Sequence, residues 1–130
     1  MLINMLAYLR QSLIKMHGQV VTFNQVHFQV FSGVILPPVI SQIIVGRMNG
    51  IKVFGLVGKA RQAKRQLDAG VDAVIAQGYD AAGHTGAVGT FSIVPEIAAM
   101  AGDTPIIAAG GVTTGRHLAA ALCLGASGVW

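Results

Sequence analysis

The chain has 130 residues, of which 53% are apolar and 11% charged, with a mean hydropathy of +0.63. It is long enough for one domain with a real core and too apolar for a disordered segment. So little charge suits strands covered on both faces by helices, or a piece of a larger barrel. The net charge of +4 gathers in Lys59, Arg61, Lys64 and Arg65 on one short helical segment without interleaved aromatics. It therefore reads as a solvated helix face and argues against nucleic-acid binding.

Cys123 is the only cysteine, which excludes a disulfide framework and a cysteine zinc site. Flanked by Leu122 and Leu124, it is expected to be a small buried hydrophobe. From Met16 to Gly46 there is no Lys, Arg, Asp or Glu, yet Asn24, Gln25, His27, Gln29 and Pro37-Pro38 interrupt the apolar run. No clean membrane-spanning stretch remains, and Arg10 and Lys15 spoil the order of a secretory leader. The expectation is a cytoplasmic protein without membrane contact.

The first fifty residues give weak signals. Gln19–Phe23 or Gln29–Leu36 could each be a strand, and Pro38–Met48 a helix begun by proline. From Gly50 the pattern is regular. Ile51–Val57 reads as a strand, Lys59–Ala69 as a helix stopped by Gly70, and Val71–Ala76 as the next strand. A glycine-bearing loop from Gln77 to Thr90 leads to a helix over Ile93–Ala101, with Pro95 in its first turn. Thr104–Ala109 is a third strand. The Gly110-Gly111 turn then opens a helix over Gly115–Leu124, capped by Thr113 or Thr114 and ended by Gly125. Ala126–Trp130 begins a fourth strand. Strands alternating with helices predict βαβ units and a parallel α/β sheet.

In such a sheet the loops after the strands' carboxyl ends meet at one face, where ligands bind. His84 sits there between Gly83 and Thr85-Gly86. A histidine so placed can take a proton near neutral pH or hold a developing negative charge; otherwise it pins its own turn. Gly110-Gly111, after an apolar strand and before a helix, offers free backbone N–H groups to an anion, or merely reverses the chain. Gln77 suits the edge of a heterocycle or caps its strand, and Asp80 reads as a turn residue binding its own backbone rather than as an acid. His17, His27 and His117 show no metal-ligand spacing with a carboxylate, so no metal site is expected. There is no P-loop, nucleophile elbow or three-glycine dinucleotide fingerprint.

The string Gly70-Val-Asp-Ala-Val-Ile-Ala-Gln-Gly-Tyr-Asp-Ala-Ala-Gly-His-Thr-Gly86, with Pro105-Ile-Ile-Ala-Ala-Gly-Gly-Val112 and Gly115-Arg-His-Leu-Ala-Ala-Ala-Leu122, resembles the nitronate monooxygenases, formerly 2-nitropropane dioxygenases. The similarity runs from about Ile51 to Trp130; residues 1–49 match the family poorly. The resemblance implies a (β/α)8 TIM barrel that holds FMN at the carboxyl ends of its strands and oxidises alkyl nitronates with molecular oxygen. It implies that His84 is the catalytic histidine, that Gln77 and Gly83 line the flavin, and that Gly110 and Gly111 hold its phosphate. The family has two glycines before the histidine where this chain has Ala82-Gly83, so one methyl group intrudes.

The family also continues past the position of Trp130 with a small residue, Gly and Thr or Ser that complete the phosphate site. The chain is thus expected to be one fragment of a barrel domain, with open strand edges through which copies could associate. Two alternatives stand beside the nitronate chemistry. One is a flavin reductase of the FMN-type enoyl-acyl carrier protein class, which shares the glycine-histidine loop. The other is a truncated half barrel without activity.

Overall fold

The computed structural model describes residues 21–23, 29–31, 34–36 and 38–130 except 84, with side chains from Gln42 onward. Seven strands and four helices are seen among these residues. They are β1 (Val21–Phe23), β2 (Gln29–Phe31), β3 (Val34–Leu36), α1 (Pro38–Met48), β4 (Val53–Val57), α2 (Ala60–Ala69), β5 (Ala73–Gln77), α3 (Thr90–Ala101), β6 (Ile106–Ala109), α4 (Gly115–Cys123) and β7 (Gly128–Val129). β1, β4, β5, β6 and β7 form a parallel sheet in that order, so each described βα unit adds its strand beside the previous one. This is the α/β arrangement of a partial TIM barrel.

The expected single strand over Gln29–Leu36 is instead two short strands, β2 and β3, paired antiparallel with Phe31 opposite Val34. Ser32-Gly33, a turn-type dipeptide, separates the two apolar stretches in the sequence.

The register sorts the side chains into two layers. Val53, Val57, Val74, Ala76, Ile106 and Ala108 share one face and form the core with Ala63 of α2, Ile93, Val94 and Ile97 of α3, and Ala121 of α4. Phe54, Leu56, Ile75, Ile107 and Gln77 lie on the opposite face, which in a barrel points inward. Ile93, Val94 and Ile97 are fully buried. Each contributes roughly 1.5–3 kcal/mol of transfer free energy and together they hold α3 on the sheet.

Gln66 is the one polar residue that α2 presents to the sheet, 7% exposed, and its side chain occupies the space left by Gly55 of β4. Its Nε2 donates to Leu56 O over 3.5 Å, while its Oε1 is buried without a partner. At the amino ends of the strands, Asp72 accepts from Val53 N (2.9 Å) and from Lys52 Nζ (2.7 Å), joining β4 to β5. Burial alone would raise the Asp72 carboxyl; the bonds from Lys52 and Val53, with the charges of Lys52 and Arg47, hold it below the ordinary aspartate value.

Two further expectations are corrected. α3 begins at Thr90, three residues before the expected Ile93, so Pro95 lies inside the helix rather than in its first turn. Cys123 is exposed rather than buried, because Ala121 is the residue that the end of α4 turns inward. Arg61, Lys64 and Arg65 are exposed on α2 and Lys59 immediately before it, and Lys64 pairs with Asp68 one turn on.

Candidate active site

Because the strands are parallel, the turns after β4, β5 and β6 lie along one edge of the sheet. Gln77 ends β5, 9% exposed, and its Nε2 donates to Ala82 O at 3.3 Å, tying the strand end to the loop that follows. Gly83 adopts a left-handed φ of +84°, and a side chain there would meet nothing within 4 Å. His84 lies outside the described residues, as do His17 and His27.

The loop is pinned at several points. Tyr79 N donates to Val88 O (3.0 Å) and Gly78 N to Ala109 O (3.0 Å), which anchors the loop to the end of β6. Gly86 rests backbone to backbone on Gly58 of the β4–α2 turn. A Cβ on Gly58 would lie 2.8 Å from Gly86 N, and one on Gly86 would overlap Gly58 O.

The strongest anchor is Asp80. Its Oδ1 accepts from Thr90 N (3.2 Å) and lies 2.7 Å from Thr90 Oγ1. Thr90 is 1% exposed, and its Oγ1 is also 2.8 Å from Ala109 O. A carboxylate ten residues away in sequence thus satisfies the first N–H of α3, which explains why the helix starts earlier than its apolar pattern suggests. Partial burial would raise the Asp80 carboxyl. Bonds from the Thr90 hydroxyl, its own backbone N–H and the Thr90 N–H outweigh that and hold it below the ordinary value.

Gly110 and Gly111 follow β6 directly at φ +102° and +67°, a region that only glycine enters cheaply. A Cβ on Gly110 would lie 2.8 Å from Thr90 Oγ1 and 3.0 Å from Ala81 N, and one on Gly111 would collide with Asp80 Oδ2. The turn therefore packs against the loop of Asp80. Among the described residues, the N–H groups of Gly110, Gly111 and Val112 donate to no protein acceptor. Thr114, one of the two expected caps, precedes α4 and accepts from His117 N (3.4 Å), while His117 Nδ1 takes the Thr113 N–H at 3.1 Å. A turn of free N–H groups at a helix start can hold a phosphate.

The structure thus brings Gln77, Gly83, Gly110 and Gly111 to one edge of the sheet. It adds Asp80 as an interaction centre, the contact of Gly86 with Gly58, and Thr90; of these the sequence reading passed over Thr90 and Gly58. The signal for Thr90 was present in Gly89-Thr90 ahead of an apolar helical run. Among the described residues no helix is long and apolar enough to cross a membrane, and no cluster of His, Cys, Asp and Glu could hold a metal.

Comparison with known proteins agrees with this architecture. Residues 6–130 match the family model for nitronate monooxygenase. The chain is 48% identical over 80 residues to (3aS,4S,5R,7aS)-5-hydroxy-7a-methyl-1-oxo-octahydro-1H-indene-4-carboxyl-CoA dehydrogenase of Rhodococcus jostii, covering 62% of this chain and 22% of that protein. It superimposes on FabK from Thermotoga maritima with a TM-score of 0.75 and 36% identity, over 92% of this chain and 34% of that one. The nitroalkane oxidase of Streptomyces ansochromogenes aligns with a TM-score of 0.64 and 31% identity, over 85% of this chain and 32% of that one. The chain thus spans about a third or less of the proteins it matches. With a parallel βα sheet, a glycine-histidine loop and a glycine turn in family order, the chain belongs to the nitronate monooxygenase family.

Proposed function

We propose that the protein carrying this sequence is an FMN-dependent oxidoreductase that oxidises alkyl nitronates with molecular oxygen, with His84 as its catalytic histidine. The observation that carries this reading is the packing of the Gly110-Gly111 turn against the loop that contains His84 in sequence. A phosphate held by that turn would leave the attached ring system near the loop's glycines.

The residues present fit a flavin phosphate. Gly110, Gly111 and Val112 offer unused N–H donors, and a methyl group on either glycine would strike Thr90, Ala81 or Asp80. In this reading Gly110 and Gly111 hold the phosphate while Gln77 and Gly83 line the ring. When bound, FMN supplies the electron transfer and oxygen chemistry. His84 takes the proton from the carbon beside a nitro group, or donates a hydrogen bond to the nitronate oxygens, where the charge of the deprotonated substrate resides. Gln77, by bonding Ala82 O, fixes the loop two residues before His84.

A second reading, an FMN-type enoyl thioester reductase, is favoured by the alignment with FabK and by the identity to a carboxyl-CoA dehydrogenase. The test is to titrate FMN while following quenching of its fluorescence, then to compare oxygen uptake with an alkyl nitronate against NADH oxidation driven by an enoyl thioester. Oxygen uptake with the nitronate that His84→Ala abolishes supports the first reading. Thioester-driven NADH oxidation without it supports the second, and absence of FMN binding defeats both.

A further inference from the structure

We infer that Asp80 is a positioning residue whose carboxylate locks the His84 loop to the Gly110-Gly111 turn, so that binding of the flavin phosphate and placement of the loop depend on one another. The inference rests on the flavin reading above, but its geometry stands on the protein alone.

The carboxylate divides its two oxygens between two elements. Oδ1 receives Thr90 N at 3.2 Å and the Thr90 hydroxyl at 2.7 Å, so it fixes the start of α3. Oδ2 faces Gly111, close enough that any side chain at position 111 would collide with it. On the other side of the same node, Thr90 Oγ1 lies 2.8 Å from Ala109 O, and Gly78 N donates to that carbonyl at 3.0 Å. Gly78 itself has no room for a side chain, because a Cβ would strike Asp80, Thr90 N and Thr90 Oγ1 together. The end of β5, the loop, the first turn of α3 and the phosphate turn therefore meet within one residue's reach of Asp80.

Electrostatics alone would make a carboxylate a poor choice here. An anionic side chain beside a turn that takes a phosphate repels the phosphate. Removing its charge would then tighten FMN binding, whereas removing a lock would loosen it. The two roles predict opposite signs.

The experiment compares Asp80→Ala and Asp80→Asn with the native protein in binding FMN and riboflavin, which lacks the phosphate. Asparagine keeps an oxygen for both Thr90 donors and keeps the shape against Gly111. Asp80→Ala should weaken FMN binding about tenfold and riboflavin binding by clearly less, while Asp80→Asn stays within about twofold of native. Hydrogen exchange of the flavin-free protein should show the Gly78 N–H, which is bonded to Ala109 O, exchanging faster in Asp80→Ala than in Asp80→Asn or native. Tighter FMN binding in both variants, equal weakening for FMN and riboflavin, or unchanged exchange at Gly78 would each overturn the inference. If the native protein binds neither flavin, the flavin reading fails first, and the exchange data alone then decide whether Asp80 couples the loop to the turn.

Discussion

Replacing Thr90 with valine keeps the shape of a side chain that is 1% exposed and removes a single hydroxyl. That hydroxyl lies 2.7 Å from Asp80 Oδ1 and 2.8 Å from Ala109 O, but it has one proton to give. Ala109 O already accepts from Gly78 N, and the carboxylate is charged, so the proton belongs to Asp80. A hydrogen bond to a charged group is worth about 1.5–3 kcal/mol. Asp80 is exposed as a residue, so solvent screening brings the expected cost down to about 1–1.5 kcal/mol.

With a urea slope of about 1–1.5 kcal/mol/M, the unfolding midpoint of Thr90→Val should fall by roughly 1 M at unchanged slope. The acid limb gives the sharper check. The folded Asp80 carboxyl lies below its ordinary value of 3.8, so its hydrogen-bonded anion contributes stability that is present above that value and lost as pH falls through the lower one. The gap between native and Thr90→Val should therefore narrow as pH falls below about 3.8. A gap equally wide at neutral and acid pH would show that the proton goes to the Ala109 carbonyl, and the argument would be wrong.

Other outcomes follow from the same geometry. Gln66→Met removes the orphaned Oε1 for the loss of one long bond, and should stabilise the protein by about 1 kcal/mol in urea unfolding; destabilisation would mean that the oxygen has a partner in solution. Gly86→Ala drives a methyl group into Gly58 O and should cost about 2 kcal/mol or more while speeding proteolysis of the loop, both measured against the native chain. Asp72→Asn should flatten the loss of stability on acidification, since the Asp72 carboxyl is also held low and its contribution disappears as pH falls below about 3.8. Breaking the Lys64–Asp68 pair should change the unfolding midpoint little, by about 0.5 kcal/mol or less, because both side chains are 60% exposed.

Much of the fold was legible because local signals agreed. Gly70 and Gly125 end α2 and the α4 segment at positive φ, where the sequence reading expected them, and β5 is buried along its whole length, as its unbroken apolar run implied. What escaped notice depends on contacts between segments. The start of α3 is set by Asp80, ten residues earlier, and by Gly89, which has no capping side chain to announce it. The hairpin of β2 and β3 did carry a signal, the Ser32-Gly33 dipeptide between Phe31 and Val34, which the reading of one continuous strand passed over. In the site, the glycines of the Gly110-Gly111 turn stood out by composition. The second role of Asp80 did not, since one carboxylate can satisfy a turn and a distant threonine at once.

The Gly58–Gly86 stacking divides the loop into parts of unequal freedom. At one end Asp80 and Ala81 are tied to Thr90 and Gly110; at the other Gly86 can approach Gly58 only because neither carries a side chain. Between these two mounts Ala82 is held as well, its carbonyl accepting from Gln77 Nε2, so the described part of the loop is fastened at three places. Substitutions that leave these fastenings intact leave the edge of the sheet undisturbed. Insertions next to either mount would instead have to rebuild the whole edge.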